Sequence, residues 1–245
     1  MIGTAVVTGA ASGIGRATAR RFAAAGWQVV GVDREPVHDD ANISHVRADV
    51  TDEVGLRHAI QRAVSILGGL DALVCSAGIS GSASGDGPVH ASSVSAFDSI
   101  IGTNLRGAYL TVSAAWPALA DGGGSVVTVG SVLGLTGGGG PFRSHAYIVS
   151  KGGLTALTRA IAAEGRTVGI RANCVAPGLV DTPLAARALT DPAAREYVAD
   201  RQSLVGGPLT SDDVAATIVF LCSADARAVT GQVLAVDAGW GLDPI

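Results

Sequence analysis

From Thr4 to Val236 the chain alternates short β-branched runs with longer helix-patterned stretches, and this alternation is its tightest structural constraint. Strand candidates are Thr4–Thr8, Gln28–Val32, Ser44–Ala48, Ala72–Cys75, Ser125–Val129, Ile170–Val175 and Val233–Val236. Helical patterns lie near Gly13–Ala25, Glu53–Leu67, Val94–Trp116, Ala146–Thr167 and Ser211–Cys222. Strand, crossover helix, strand is the grammar of a parallel sheet, so the expected class is α/β. The specific expectation is a doubly wound parallel sheet of about seven strands with helices on both faces. Asp52 and Ser211 stand as N-caps, and Gly26 and Gly68 fall where C′ glycines belong. No charge block, linker or internal repeat divides residues 1–245, so one domain is expected. The less regular stretch 182–210 reads as a helical flap over a site.

Composition removes several function classes. A net charge of −4 without a basic cluster gives no nucleic-acid surface. The longest uncharged stretch, between Asp121 and Arg143, holds nine glycines and a proline, so no membrane span is expected. Cys75, Cys174 and Cys222 are far apart and odd in number. They read as buried thiols in a reducing compartment and offer no zinc or disulfide framework. Met1–Val7 runs straight into a strand pattern without a basic segment or a cleavage pattern. The expectation is a soluble cytoplasmic protein.

The first strand leads into Thr8-Gly9-Ala10-Ala11-Ser12-Gly13-Ile14-Gly15 and then a helix. Glycines at such a turn let backbone N–H groups approach a pyrophosphate, and the helix N-terminus adds a favourable dipole. A tight βα turn alone also requires glycine. The second signal is Asp33, eighteen residues beyond Gly15 at the end of the next strand, where a carboxylate holds an adenosine ribose. Asp33 would repel a 2′-phosphate, so NAD is expected ahead of NADP. Arg16 and Arg34 are the counter-evidence, because either is able to turn toward a phosphate.

Lys151 is the only lysine among 17 basic residues, four places after Tyr147. On a helix that spacing puts phenol and ammonium on one face. A fixed cation eases loss of the phenolic proton, making an acid/base for neutral pH. An isolated Tyr-x-x-x-Lys is better read as a surface pair; here the phosphate loop and Asp33 accompany it.

With these motifs in one chain order, the sequence resembles the classical short-chain dehydrogenase/reductase family, from the first strand to Gly231–Gly239. The resemblance implies a Rossmann-type fold, a homotetramer and hydride transfer between a nicotinamide cofactor and an alcohol. It implies catalytic roles for Asn104, Ser131, Tyr147 and Lys151, Asn104 kinking its helix and placing a proton-relaying water. For the cofactor it implies Gly9, Ser12, Gly13, Ile14, Gly15, Asp33, Asp49, Val50, Ala77, Gly78, Tyr147, Lys151, Pro177, Gly178, Val180 and Thr182. One interface is expected on the helices around 94–116 and 146–167, another on the last strand and the helix before it. Three departures stand out. Cys75-Ser76-Ala77-Gly78 replaces the family's Asn-Asn-Ala-Gly, the interval from Ser131 to Tyr147 is lengthened, and the arginine common before residue 208 is missing.

Candidate pocket residues are Ile79, Leu133, Phe142, Leu179, Leu184 and Leu204, which favour a hydrophobic or cyclic secondary alcohol and its ketone. Arg143 is read as a solvated loop charge, with capture of a carboxylate or phosphate as the alternative. Trp240 packs internally or reaches a neighbouring subunit. The competing readings are a 3-oxoacyl thioester (acyl-carrier-protein) reductase, a hydroxysteroid-type dehydrogenase, and a catalytically silent dinucleotide-binding regulator.

Overall fold

The structure, a computed structural model, describes residues 3–36, 42–81 and 85–242. Met1, Ile2 and residues 82–84 of the glycine-rich segment after the fourth strand lie outside them. The strands are β1 (Thr4–Thr8), β2 (Gln28–Asp33), β3 (Ile43–Arg47), β4 (Ala72–Cys75), β5 (Gly124–Val129), β6 (Ile170–Pro177) and β7 (Val233–Val236). They form a seven-stranded sheet in the order β3-β2-β1-β4-β5-β6-β7. Every pairing is parallel; Val6, for example, sits between Val30 and Leu73. The expected doubly wound α/β sheet is the observed one.

Residue alternation along the strands feeds two cores, one per face. Val6, Val30 and Val32 pack with Leu56 and Ile60 of α2 (Glu53–Leu67), Leu119 of α4 (Gly107–Gly122) and Leu154 of α6 (His145–Gly165). Ala5, Val7 and Val29 pack on the opposite face with Phe22 of α1 (Gly13–Ala24) and Ile218 and Leu221 of α9 (Ser211–Cys222). Cys75, Cys174 and Cys222 are buried and unpaired. No described helix is long and apolar enough to cross a membrane.

Three local expectations need correction. β3 begins one residue earlier than Ser44, because its ladder opens with buried Ile43 against Val29. The cap of α9 is Thr210, not Ser211. Thr210 Oγ1 accepts from Asp213 N at 3.2 Å and the Asp213 carboxylate accepts from Thr210 N at 2.8 Å, a reciprocal box that Ser211 has no acid to complete. The single helix expected over 94–116 is α3 (Val94–Ile101), a π-helical turn Gly102–Arg106 and α4, which ends only where Gly123 takes φ +75°. The helical character expected over 182–210 is present as a 3₁₀ turn Pro183–Ala185, α7 (Ala186–Thr190) and α8 (Pro192–Arg201), preceded by the one-turn α5 (Leu133–Thr136) earlier in the chain. Asp52 does cap α2, accepting from Gly55 N at 3.2 Å.

Strand order reverses between β1 and β4, so the loops leaving these two strands diverge to opposite faces and open a crevice. In sheets of this kind ligands bind in that crevice, beyond the carboxyl ends of the strands.

Candidate active site

At the end of β1 three glycines let backbone pack on backbone. Gly9 adopts φ +71°, donates from its N–H to Val32 O at 2.9 Å, and leaves no room for a Cβ, which would lie 2.8 Å from Ala77 N. A Cβ on Gly15 would collide with Gly9 O. Gly13 takes φ +51° beneath the Thr182 methyl, which stands 3.1 Å from where a Cβ would project. Ser12 is the exposed residue before α1, and its side chain makes no capping bond. The first turn of α1 carries no acid, leaving its dipole unopposed by a side-chain charge.

Asp33 closes this loop from β2. Its Oδ2 accepts from Ala11 N at 3.0 Å and its Oδ1 from Glu35 N at 3.1 Å, and each oxygen keeps acceptor capacity. Arg34 lines the cavity beside Asp33 and pairs with Asp49, Nη1 to Oδ2 3.6 Å. Burial acts to raise the Asp49 carboxyl, but two hydrogen bonds from Thr51 and the Arg34 charge together hold it below its ordinary value. A cavity of about 880 Å³ is lined by Asp33, Asp49 and Val50, by Gly9, Ala77 and Gly78, and by Ser131, Tyr147 and Lys151. Pro177, Gly178, Val180 and Thr182 line it too, as do Ser12, Gly13 and Ile14; Gly15 acts from behind, by letting the loop close.

Ser131 follows β5 and is buried, its Oγ accepting from Leu133 N at 3.2 Å. Tyr147, in the first turn of α6, is half-buried and shares a side-chain hydrogen bond with Ser131. Lys151 Nζ, one turn on and buried, donates to Val129 O at 2.7 Å and stands 5.6 Å from the centroid of the Tyr147 ring. Burial pushes the Tyr147 phenol up to about 12, against a smaller lowering by Ser131. Burial likewise pulls the Lys151 ammonium down to about 8. The expectation that Lys151 lowers the phenol is therefore not met in this geometry. The ammonium is engaged with the Val129 carbonyl rather than with the phenolic oxygen, and burial dominates.

Asn104 sits in the π turn and is buried without lining the cavity. Its Oδ1 accepts from Ile79 N at 2.8 Å, and its Nδ2 donates to Ile79 O at 3.0 Å and Ser150 Oγ at 3.1 Å. Ser150 in turn donates to Tyr147 O at 2.7 Å. The amide thus clamps the loop after β4 to α6. Gly78 keeps the space beside it open: a Cβ there would lie 3.2 Å from Asn104 Oδ1 and 3.6 Å from Lys151 Nζ.

At the other end the cavity is lined by Ile79, Leu133, Phe142, Leu179 and Leu184, as expected, but not by Leu204. Leu204 is 83% exposed, held by its backbone N–H to Ala238 O after α8 has ended. Trp240 completes this end, and Tyr197 backs it without lining the cavity. Phe142, Tyr197 and Trp240 form a triangle of rings with centroid separations of 5.9, 5.3 and 5.7 Å. Trp240 packs internally and is 5% exposed. A Cβ on Gly140 would lie 2.7 Å from the Tyr197 ring, so the added glycines let the lengthened loop wrap this triangle. Arg143 lines the mouth and is exposed. Tyr197 escapes sequence reading because nothing local ties α8 to residues 142 and 240.

A family model described as enoyl-(acyl carrier protein) reductase matches residues 9–241. The cis-4-hydroxycyclohexanecarboxylate dehydrogenase of Sinomonas cyclohexanicum is 41% identical, over 96% of this chain and 95% of that one. The 2-(R)-hydroxypropyl-CoM dehydrogenase of Xanthobacter autotrophicus is 36% identical, over 96% and 97%. Levodione reductase, a solved structure, superposes with a TM-score of 0.89 at 30% identity, over 99% of this chain and 98% of the other. The chain belongs to the short-chain dehydrogenase/reductase family.

As a short-chain dehydrogenase/reductase it is an oxidoreductase served by a nicotinamide dinucleotide. Its departures from the family pattern now have structural counterparts. Where the two asparagines are replaced, the Thr8 hydroxyl accepts from Ser76 N at 3.3 Å and Ala77 N at 3.4 Å, and donates to Val74 O at 3.3 Å. In place of the missing arginine, fully buried Gln202 anchors the segment after β6. Its Nε2 donates to Gly207 O at 2.7 Å and Leu179 O at 3.2 Å, while its Oε1 accepts from Leu179 N. Gly178 admits that contact, since a Cβ there would meet Gln202 Oε1.

Proposed function

We propose that this short-chain dehydrogenase/reductase oxidises the secondary alcohol of an apolar, ring-shaped substrate to its ketone with NAD. One observation carries the reading: the hydrogen-bonded Ser131 and Tyr147 side chains face the same cavity that the Phe142–Trp240 aromatic wall closes. Flat apolar rings present edges and faces that match an uncharged alicyclic ring by area rather than by hydrogen bonds. The Sinomonas relative, by its name, acts on a hydroxylated cyclohexane ring that also bears a carboxylate, so an uncharged ring alcohol belongs beside it in the test.

The cradle fits the dinucleotide. Gly9, Gly13 and Gly15 exclude side chains where a pyrophosphate would approach, and Ser12, Ile14 and the α1 dipole face it. Asp33 would take the adenosine ribose hydroxyls on its spare lone pairs, with Asp49 and Val50 beside the adenine. Ala77 and Gly78 would flank the second ribose, and Pro177, Gly178, Val180 and Thr182 would meet the nicotinamide. NAD is favoured over NADP because the Asp33 carboxylate takes the place a 2′-phosphate would need and Arg34 is paired with Asp49. The dinucleotide held by these residues would supply the acceptor for the hydride leaving the carbinol carbon.

The chain's own groups do the rest. Ser131 hydrogen-bonds the reacting oxygen, and Tyr147 takes its proton. Lys151 turns from Val129 O toward the ribose and the phenol, bringing a cation close enough to lower a pKa that burial has raised. Asn104 holds the loop and helix between which that ammonium moves, and positions the water that relays the proton to solvent. The segment 182–210, pinned by Gln202, covers the bound pair, and residues 1–245 act as one catalytic domain. A homotetramer fits the exposed Val94, Phe97 and Tyr109 on α3 and α4 and the exposed Phe220 on α9.

The test is a panel of alcohols with NAD and NADP: cis-4-hydroxycyclohexanecarboxylate, cyclohexanol, a steroid alcohol, and acetoacetyl thioester in the reducing direction. Ring alcohols with NAD are expected to turn over fastest. Faster thioester reduction would move the assignment to an oxoacyl reductase, an NADPH preference would defeat the Asp33 argument, and no turnover would favour a silent binder.

A further inference from the structure

The helix that carries Tyr147 and Lys151 is capped from a distance. Ser144, the residue preceding α6, makes no side-chain capping bond. Instead Ala146 N donates to Asp86 Oδ1 at 3.1 Å and Tyr147 N to Asp86 Oδ2 at 3.1 Å. Asp86 lies 60 residues before Ala146, in the loop between β4 and α3, and is half-buried. A carboxylate accepting two N–H groups at a helix N-terminus satisfies otherwise orphaned donors and opposes the helix dipole.

Asp86 and the described residues beside it are themselves held in place. Asp86 N donates to Gly81 O at 2.9 Å and Ser92 Oγ donates to Asp86 Oδ1 at 3.4 Å. Two further bonds tie the loop to the first residue of α6: His145 N donates to Gly87 O at 3.1 Å, and Val89 N donates to His145 Nδ1 at 2.9 Å. Gly81 allows the close approach, because a Cβ there would meet both the Ile100 side chain and Asp86. Asp86 also lines the cavity shared by Ser131 and Tyr147.

The carboxylate therefore grips the backbone of the residue whose phenol is hydrogen-bonded to Ser131. The phenolic oxygen is the far tip of that residue, so a small tilt of the first turn of α6 is enlarged at the reacting atom. We propose that Asp86 is a positioning residue for hydride transfer: it caps α6 at Tyr147 and so holds the phenol against Ser131. This role rests on the reading of Tyr147 as the acid/base.

The test compares Asp86→Ala, Asp86→Asn and the unmodified protein, with cis-4-hydroxycyclohexanecarboxylate and NAD as probes. Asp86→Ala is expected to lower kcat by about tenfold to a hundredfold, as for a misplaced reacting group, while leaving the KM for NAD within about twofold. Asp86→Asn, which keeps one side-chain oxygen acceptor, is expected to recover part of the loss. A second readout needs no turnover: Tyr147 ionisation, followed by ultraviolet difference absorbance against the matching Tyr147→Phe proteins. In Asp86→Ala the midpoint is expected to fall from about 12 toward the ordinary 10 as the loosened phenol meets water. Unchanged kcat and midpoint in Asp86→Ala would overturn the proposal. So would an equal loss in both variants together with lost NAD binding, which marks general damage to the fold. If the unmodified protein oxidises no panel alcohol, the functional reading fails on its own, and the phenol midpoint still decides the place of Asp86.

Discussion

The two ends of the cavity are built on different principles. The end near Asp33 is made of backbone: a glycine turn, one helix N-terminus and a carboxylate that accepts from Ala11 N of that turn and from Glu35 N. The end near Trp240 is made of side chains far apart in sequence, Phe142 and Trp240, with Tyr197 packed behind them. A backbone cradle recognises what every dinucleotide shares, and it tolerates little change because a single Cβ has nowhere to go. A wall of rings recognises shape, and each ring is replaceable at the cost of packing. On the proposed reading, the first end would hold the cofactor and the second would select the alcohol.

Tyr147 stands where the ends meet, so its removal should separate chemistry from both. Tyr147→Phe is expected to reduce kcat by about a thousandfold or more, with the NAD dissociation constant changed by less than about twofold. Fluorescence titration alongside steady-state rates checks this, and retained turnover would exclude Tyr147 as the acid/base. The next largest effect belongs to the cofactor end. Gly15→Ala forces a methyl against Gly9 O, and a backbone shift of that kind is expected to weaken NAD binding by about tenfold to a hundredfold. The relative kcat/KM values across the alcohol panel should stay in the same order. A reordered panel would mean that the two ends are coupled more tightly than their construction suggests.

At the substrate end the expected changes are smaller for catalysis and show up in selectivity. Trp240→Ala removes two of the three ring contacts and leaves a gap beside Phe142 and Tyr197. The KM for ring alcohols should rise about tenfold while NAD binding holds, and bulkier alcohols should gain relative to small ones. Stability should also fall, by up to about 3 kcal/mol, as for other large-to-small core changes. Unaltered selectivity would remove the aromatic wall from the substrate assignment.

The same contrast explains which parts of the molecule are legible in its sequence. The glycine loop, Asp33 and the Tyr147–Lys151 spacing act within one turn or across one strand register, so their signal is local and readable. The strands are readable because period-two apolar residues must serve two cores, as Ala5, Val6 and Val7 do. The π turn at Asn104 is expected only by resemblance, since Gly102-Thr103-Asn104-Leu105-Arg106 carries no periodic mark of it. Asp86, Gln202 and Tyr197 act through partners on other segments, which no window of sequence contains. Leu204 misleads for the complementary reason: an apolar residue in an irregular stretch signals burial only when its neighbours' geometry is known.

The smallest effect expected is one of stability, and it bears on how Lys151 serves both ends. Burial lowers the ammonium from an ordinary 10.5 to about 8, so between these values the unfolded chain binds more protons than the folded one. Stability attributable to this group must therefore rise with pH across that window. Below about pH 8 both states are charged and the full burial penalty applies; above about 10.5 both are neutral and it is gone. Lys151→Met removes the charge while keeping the stem, and its stability relative to the unmodified protein should decline as pH rises from 8 to 10.5. Relaxation of the surroundings and loss of the bond to Val129 O reduce the expected change to about 1 kcal/mol. Denaturant midpoints measured at several pH values give the slope. A flat difference would mean that the ammonium is not held in the dry site it shares with Tyr147, and that its turn from Val129 toward a ribose involves no release from burial.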